Sequence, residues 1–373
     1  FDLASGTNPG TSIEVSEAAV HQAAATLADG APHYFHLVTC DRAGNCAPPI
    51  ESGPFQVDTQ APSSPAPVTS SSHGDGLPHS NLAIAVSWTA SSDQPGLSGV
   101  SGYGVSLQGA AAPPVCAGTS TGGTSATLNA PSDGSYFLHA CARDLAGNVS
   151  GVVVDGPYVV DTAGPAGLVV SSSSHTISTW SNDNSIDFSF SGATDGSGIA
   201  GYAAVFDQVS STEPACAATQ TASTFTGSSS PDADNWWIHV RAIDGANNCG
   251  GTVHLGPFQV DTQSPAAPTG LASPSHEVGV ASNDDTVEVE WQAAIDQAGL
   301  SGIDGYGFFF STGEDDDCDG VKDGEEDVLS TTSATLADGE HYFHLCAVDN
   351  AGNWSPVASI GPFVIDTAGA AVV

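Results

Sequence analysis

The chain has 373 residues, of which 40% are hydrophobic and 7% aromatic, so it can bury several cores. Its 42 acidic side chains far outnumber the 4 basic ones, giving a net charge of −38. This charge excludes nucleic acid and anionic membrane surfaces as partners, because both are bound through Lys and Arg. No run of 18 apolar residues is present, so no membrane span is predicted in this segment.

The acidity has three explanations that composition leaves open: bound divalent cations, adaptation to high salt, or solubility. The 43 glycines and 23 prolines predict frequent turns and few long helices. Because the chain has no methionine and no signal peptide, residue 1 is expected to lie inside a longer precursor.

A repeat of about 100 residues organises the chain. The segment from Gly53 to Thr59 reads Gly-Pro-Phe-Gln-Val-Asp-Thr, and close copies begin at Gly156, Gly256 and Gly361. Upstream of each copy, an aromatic strand leads into a turn that resembles Asp-x-Ala-Gly-Asn. These turns begin at Asp41, Asp144, Asp244 and Asp349. In the last three repeats, an alternating strand and a Gly-rich turn ending in Gly-Tyr come first.

The spacing of apolar residues predicts strands. Residues 186–190 and 287–291 alternate apolar and polar side chains, which is typical of a sheet with one buried face. The Asp-x-Ala-Gly-Asn turns separate two strand-like runs and predict hairpins. Short strands with turn residues between them are typical of sandwiches, so the sequence predicts an all-β fold of tandem β-sandwich domains.

The order of these blocks resembles bacterial immunoglobulin-like and fibronectin type III-like tandem repeats of large extracellular surface proteins. The order is a Trp or Phe strand, a Gly-Tyr turn, an aromatic strand, Asp-x-Ala-Gly-Asn and Gly-Pro-Phe-x-Val-Asp-Thr. The resemblance covers the whole chain and implies immunoglobulin-like sandwiches arranged as a rod. It implies little about function, because such modules serve as spacers in many unrelated proteins.

Domain boundaries are predicted just after each Val-Asp-Thr element. Residues 1–4 align with the strand after the Gly-Tyr turn, so the first repeat is expected to lack its opening strands and to expose unpaired sheet edges. The predicted segments are a C-terminal half-repeat at 1–62, whole repeats at 63–165, 166–265 and 266–367, and the start of a further repeat at 368–373.

Eight cysteines without a Cys-x-x-Cys pair indicate disulfides in an oxidising compartment rather than a zinc or redox site. Their positions in the repeats favour bridges within each repeat over free or cross-repeat thiols. The predicted pairs are Cys40 with Cys46, Cys116 with Cys141, Cys216 with Cys249, and Cys318 with Cys346.

An acidic insertion at residues 315–326 has the spacing of a calcium-binding loop, in which alternate residues direct oxygen ligands to one point. The expected ligands are Asp315, Asp317, Asp319, the carbonyl of Val321, Asp323 and Glu326. Lys322 stands where an apolar residue normally packs, and no helices flank the loop, so the pattern departs from an EF-hand. The alternative is a solvated acidic loop.

Topology predicts that aspartates meet at the joints between repeats. In an immunoglobulin-like sandwich, the last strand ends at the pole opposite the B–C and F–G loops, so the next domain presents those loops at the junction. Three carboxylates brought together repel one another and require a cation or wide separation. The alternative is that each aspartate caps its own turn. The sets are Asp58, Asp93 and Asp144; Asp161, Asp195 and Asp244; and Asp261, Asp296 and Asp349.

No catalytic site is predicted. Histidines occupy nearly the same strand position in successive repeats, which indicates an architectural role, because an active site would occur once. These histidines are His36, His139, His239 and His344. The chain also contains neither Gly-x-Ser-x-Gly nor His-Glu-x-x-His.

The sequence favours a non-catalytic extracellular or cell-surface protein, a stiff stalk or fibre of an adhesin or filament stabilised by disulfides and calcium. Expected partners are further repeats or other copies of the same protein, and a surface glycan or protein. The alternative is a binding or spacer module of a secreted multidomain enzyme. Candidate binding aromatics are Trp180, Trp236, Trp237 and Trp354.

Overall fold

A computed structural model describes residues 4–10, 26–109, 116 and 118–369. It comprises two units, Phe1–Ala163 and Gly164–Val373. All regular elements within the described ranges are β-strands, as the sequence predicts. Across those ranges, no helix is long and apolar enough to cross a membrane. The expected strand at residues 1–3 and residues 370–373 of the expected further repeat lie outside the described part.

Short strands, most of them paired antiparallel, make up the first unit. Within its described residues they are β1 (His33–Leu37), β2 (Ile50–Phe55), β3 (Val68–Ser70), β4 (Pro78–His79), β5 (Ala83–Trp88), β6 (Val100–Gln108), β7 (Thr119–Thr121), β8 (Ser125–Asn129), β9 (Gly134–Asp144) and β10 (Val153–Val160).

The strands of residues 63–163 form a sandwich. One sheet has the order β3-β5-β8 and the other β4-β10-β9-β6-β7, with β4 parallel to β10. Side chains from both sheets share one core, which includes Ile84, Leu138 and Tyr158. Ahead of this sandwich, β1 and β2 pair as a two-stranded sheet on which Ile50 is 64% exposed and Phe55 44% exposed. The predicted segment boundaries themselves stay a prediction.

The second unit contains two sandwiches. The strands of the first are β11 (Val169–Ser172), β12 (Trp180–Ser181), β13 (Ser185–Ser191), β14 (Ile199–Asp207), β15 (Thr224–Ser228), β16 (Ala233–Asp244) and β17 (Val253–Val260). Those of the second are β18 (Thr269–Ala272), β19 (Ala281–Ser282), β20 (Glu288–Gln292), β21 (Ile303–Ser311), β22 (Gly324–Glu325), β23 (Ser330–Thr332), β24 (Gly339–Asp349) and β25 (Ala358–Ile365).

Both sandwiches of the second unit repeat the same topology. A three-stranded sheet, β11-β13-β15 or β18-β20-β23, faces a larger sheet, β12-β17-β16-β14 or β19-β25-β24-β21-β22. The alternating segments lie in the smaller sheets, where Ile186, Phe188 and Phe190 point into one core and Val289 and Trp291 into the other. Each fully buried side chain of this size contributes about 1.5–3 kcal/mol.

The recurring Gly-Pro dipeptide lies at an irregularity between the last two long strands of each repeat. The pairing of β16 with β17 shifts register between Trp236 and Ile238. Gly256, opposite, has φ +152°, and a Cβ on it would lie 2.7 Å from the carbonyl oxygen of Trp236. At the equivalent glycines, Gly156 and Gly361, an added Cβ would lie 2.9 Å from a backbone oxygen. A side chain does not fit there, which explains why glycine recurs.

We expect Gly256→Ala to destabilise the sandwich of residues 166–265 by about 1–3 kcal/mol, because alanine would meet both an unfavourable φ and a backbone clash. Hydrogen exchange of the intact chain, read by mass spectrometry, should show lost protection in β16 and β17. Gly251→Ala is the control, since an added Cβ there meets no described atom within 4 Å. Equal protection in Gly256→Ala and the parent chain would contradict this account of the Gly-Pro block.

Candidate functional site

The structure joins the cysteines in the four pairs that the sequence predicts. Cys141 and Cys346 are buried within β9 and β24, whereas Cys249 follows β16 and pairs across the hairpin with Ile243. The equivalent loop cysteines, Cys116, Cys216 and Cys318, are therefore bridged to the first strand of the hairpin in two repeats and to the residue after its turn in the third. Four bridges indicate folding in an oxidising compartment, and each bridge typically contributes about 2–4 kcal/mol.

The aspartate of each Asp-x-Ala-Gly-Asn turn folds the turn around its own carboxylate. In the last repeat, Asp349 Oδ1 accepts hydrogen bonds from the backbone N–H of Ala351 (2.9 Å) and of Asn353 (2.8 Å). Its Oδ2 accepts from Nδ2 of Asn353 at 2.8 Å. Asp144 and Asp244 accept equivalent bonds from the asparagine four residues later. These aspartates therefore cap their own turns.

A set of three aspartates also meets at the joint within the second unit. Asp261 follows β17 of one sandwich, while Asp296 follows β20 of the next and Asp349 ends its strand β24. Each offers a carboxylate oxygen, and these oxygens lie within 4.8 Å of one another. Asp261 and Asp349 are 0% and 1% exposed. Asp261 Oδ2 accepts from the N–H (3.0 Å) and the hydroxyl (2.6 Å) of Ser301 across the joint.

One oxygen of this set stands apart. Asp296 Oδ2 accepts from the N–H of Gly302 at 2.7 Å, but its Oδ1 is buried and has no hydrogen-bond partner within the described part of the chain. Burial, together with the charge of Asp261, raises the pKa of Asp349, although hydrogen bonds from Asn353 act in the opposite direction. Such an arrangement can hold a cation or a shared proton.

The first unit contains the set of Asp58, Asp93 and Asp144, whose carboxylate oxygens also lie within 4.8 Å of one another. Here both oxygens of Asp93 have donors, the N–H groups of Gln94 (2.9 Å) and Gly99 (2.7 Å). A hydrogen bond from Ser98 is the main reason that the pKa of Asp58 is lowered. The carboxylates converge as in the second unit, but Asp93 leaves no oxygen without a donor.

The remaining predicted set is divided between the two units. Asp161 belongs to the first unit, where its Oδ1 accepts from the N–H of Ala163 at 3.2 Å. Asp195 and Asp244 belong to the second, and Asp195 Oδ1 accepts from the N–H of Ser197 at 2.9 Å. A site formed by these three residues stays a prediction.

The basic side chains of the second unit, Arg241 and Lys322, are engaged elsewhere. Lys322 Nζ lies 3.0 Å from Asp304 Oδ1 and 2.6 Å from Glu325 Oε2. Arg241 donates through Nε and a terminal nitrogen to the carbonyl oxygen of Gly250. Neither side chain is positioned to neutralise the carboxylates of Asp261, Asp296 and Asp349.

The acidic loop at 315–326 is arranged differently from a closed calcium cage. Asp323 Oδ2 accepts from the N–H of Phe308 at 2.8 Å, and Asp319 Oδ1 accepts from the N–H of Val321 at 3.0 Å. Asp315, Asp317 and Glu326 are exposed. Among the described residues, the sets of metal-type side chains that converge within 4.8 Å do not include this loop. Calcium binding by it stays a prediction.

A Ser-His couple, which sequence reasoning missed, fastens the start of each whole repeat. His73 Nε2 donates to the carbonyl oxygen of Asn81 at 2.9 Å, and Nδ1 accepts from the hydroxyl of Ser72 at 2.8 Å. Ser72 Oγ in turn accepts from the N–H of Ala85 at 2.9 Å. The same contacts recur at Ser174-His175 and Ser275-His276. Recurrence of Ser-His about every 100 residues was the available signal, and it indicates a structural lock rather than a nucleophile and its base.

The candidate binding aromatics are largely covered. Trp236 is 8% exposed and stacks on Phe206 with ring centroids 4.9 Å apart, whereas Trp180, Trp237 and Trp354 are half-buried. Trp354 lines a shallow cleft of about 350 Å³, together with Asp317 and other residues of the acidic loop.

No family model matches the chain. It is 29% identical to Exoglucanase B of Cellulomonas fimi over 326 residues, which cover 82% of this chain and 26% of the relative. It is 32% identical to Chitinase A1 of Niallia circulans over 196 residues, which cover 52% of this chain and 25% of the relative. The chain thus spans about a quarter of the curated relatives that it matches.

Solved multi-domain segments are similar to the chain at low sequence identity. The FN1–FN3 domains of chicken CNTN1 are 14% identical, with a TM-score of 0.31, covering 82% of this chain and 99% of that one. Fibronectin(III)-like modules of Clostridium thermocellum CbhA are 17% identical, with a TM-score of 0.31, covering 52% and 95%. Domains A168–A170 from titin are 13% identical, with a TM-score of 0.35, covering 80% and 99%.

Three consecutive segments of this chain each place a three-stranded sheet against a larger one around a single core. The chain contains three consecutive β-sandwiches, as the sequence predicts. In these sandwiches, buried polar side chains recur at the Ser-His couples, at the hairpin aspartates, and at His139, His239 and His344.

The contribution of the Ser72-His73 couple to the stability of its sandwich should depend on pH. Burial is the main cause that lowers the pKa of His73 below its ordinary value of 6.5. The unfolded chain then binds a proton more readily, so the stabilisation is complete above pH 6.5 and is lost as pH falls through the folded-state pKa. Calorimetric unfolding of the intact chain between pH 7.5 and 5 should show one transition whose pH dependence flattens in His73→Gln. Identical pH profiles for parent and variant would refute the assignment.

Proposed function

We propose that the chain is a non-catalytic extracellular spacer of a secreted polysaccharide-degrading enzyme. The observation that carries this proposal is the match to Exoglucanase B, which includes 82% of this chain but only 26% of the relative. The match to Chitinase A1 is similarly partial, at 25% of that relative. Two proteins named for different activities thus share with this chain a part of their length, which is expected of a spacer and not of a common catalytic domain.

The side chains of the described residues support a spacer. Hydrolysis of a glycosidic bond requires two carboxyl groups flanking a substrate cleft, one of them in an environment that raises its pKa. The carboxylates that converge here lie at joints, where backbone N–H groups hold them. The shallow cleft beside Trp354 is lined by Asp317 and Asp319, which are exposed to water.

Four disulfides support an extracellular location, because such bridges persist in oxidising compartments. Among the two roles that the sequence left open, the relatives favour the module of a secreted enzyme. The stalk of a surface adhesin or filament stays a prediction, as do a surface anchor and a partner protein.

We expect the purified chain to release no soluble sugar from cellulose or chitin and not to sediment with either polymer. Both measurements use the intact 373-residue chain. Trp354→Ala is the matched variant: sedimentation that the parent shows and this variant loses would replace the spacer by a carbohydrate-binding module. Release of sugar by the parent chain would contradict a non-catalytic role altogether.

A further inference from the structure

We propose that a calcium ion binds between Asp261, Asp296 and Asp349 and links the two sandwiches of the second unit. The ion would deepen the spacer role by fixing one joint, and its biological meaning rests on that role. Whether the ion binds does not depend on the spacer role, because calcium binding is measured independently of any activity.

The three carboxylates place uncompensated negative charge at the joint. Three carboxylates offer oxygens within 4.8 Å of one another, and two of these side chains are almost completely buried. Like charges at this separation repel strongly when water is excluded. The basic side chains of this unit are engaged elsewhere, Lys322 by Asp304 and Glu325 and Arg241 by Gly250. Arg241 and Lys322 therefore supply no countercharge to the three carboxylates.

The Oδ1 atom of Asp296 is buried without a hydrogen-bond donor in the described part of the chain. Buried polar atoms are nearly always hydrogen-bonded, and a buried acceptor without a donor costs about 1–3 kcal/mol. Within the described residues no donor reaches this oxygen, and its carboxylate belongs to the convergent set. Its partner atom, Oδ2, is fixed by the N–H of Gly302 at 2.7 Å, which fixes the orientation of the carboxylate. A cation among the three carboxylates would provide the missing interaction.

The ligand atoms at the joint favour one kind of cation. All available ligand atoms are oxygens, and neither sulfur nor imidazole nitrogen is part of the set. Hard cations prefer such ligands, whereas zinc and copper favour nitrogen and sulfur. Calcium accepts irregular coordination by carboxylates and waters, while magnesium requires a nearly ideal octahedron. Carboxylates contributed by a strand end and two loops suit calcium better.

The competing occupant is a proton. A proton shared within the set would also relieve the repulsion, and the raised pKa of Asp349 is compatible with it. The two possibilities predict opposite results. If a shared proton neutralises the carboxylates, calcium does not bind at the joint at neutral pH.

The test is calorimetric titration of the intact, chelator-treated chain with calcium chloride at pH 7.5. Asp296→Asn keeps a side-chain oxygen for Gly302 and removes the charge, so it should bind one calcium ion fewer per chain than the parent. Asp234→Asn is the matched control, since Asp234 is exposed on β16, and it should bind as the parent does. Glu326→Gln separates any binding by the loop at 315–326, because it leaves the joint intact. An unchanged stoichiometry and affinity in Asp296→Asn would overturn the proposal.

A second measurement covers the case in which Asp296→Asn folds poorly. In the parent chain, calcium should slow hydrogen exchange at residues 296–302 and 349–353, the two loops that hold the carboxylates. Unchanged exchange there on addition of calcium would also overturn the proposal. Neither result depends on polysaccharide, so failure of the calcium site and failure of the spacer function are distinguished.

Discussion

In each unit, the amide of one hairpin asparagine connects a sandwich to the repeat before it. In the second unit, Asn353 Nδ2 donates to Asp349 Oδ2 at 2.8 Å and to the backbone carbonyl of Asp261 at 2.9 Å. In the first, Asn148 Nδ2 donates to Asp144 Oδ2 at 2.8 Å and to the carbonyl of Asp58 at 3.1 Å. One NH₂ group has two protons, so it closes its own turn and bonds the preceding repeat without competition. The convergence of aspartates depends on this bond, because it places the turn against the end of the preceding strand.

The strand faces, the cysteine pairs and the aspartate sets could be predicted from the sequence, because equivalent positions can be compared between repeats. Period-two alternation gave the inward faces of β13 and β20, and repeat positions gave the cysteine pairs. The meeting of Asp261 with Asp296 and Asp349 followed from topology alone. Topology did not predict which carboxylate oxygens receive hydrogen bonds. Asp93 and Asp296 are both followed by glutamine, yet Asp93 Oδ1 accepts from that N–H and Asp296 Oδ1 has no partner in the described chain.

The Ser-His locks were missed for a related reason. They lie in polar, serine-rich segments without apolar periodicity, where the side chains bond across 8 to 13 residues rather than along a strand. Sequence patterns report which face of an element is buried, and they report poorly on a buried polar side chain whose partners are backbone groups. Only the recurrence of the Ser-His dipeptide in each whole repeat would have indicated that it has the same structural role in all of them.

The stiffness of a tandem array is determined at its joints, since each sandwich already has a complete core. Among the described residues, few polar contacts cross the joint of the second unit: Asp261 with Ser301, Asp261 with Asn353, and Gln297 Nε2 with the carbonyl of Ser264. One additional interaction across the joint would therefore add substantially to the polar contacts that resist bending between the two sandwiches. Buried carboxylates are a costly way to fill such a place unless something neutralises them, because their mutual repulsion destabilises the joint. Because they lie at the end of a strand and in two loops of the next domain, the proposed calcium ion would act on the joint and not on the core.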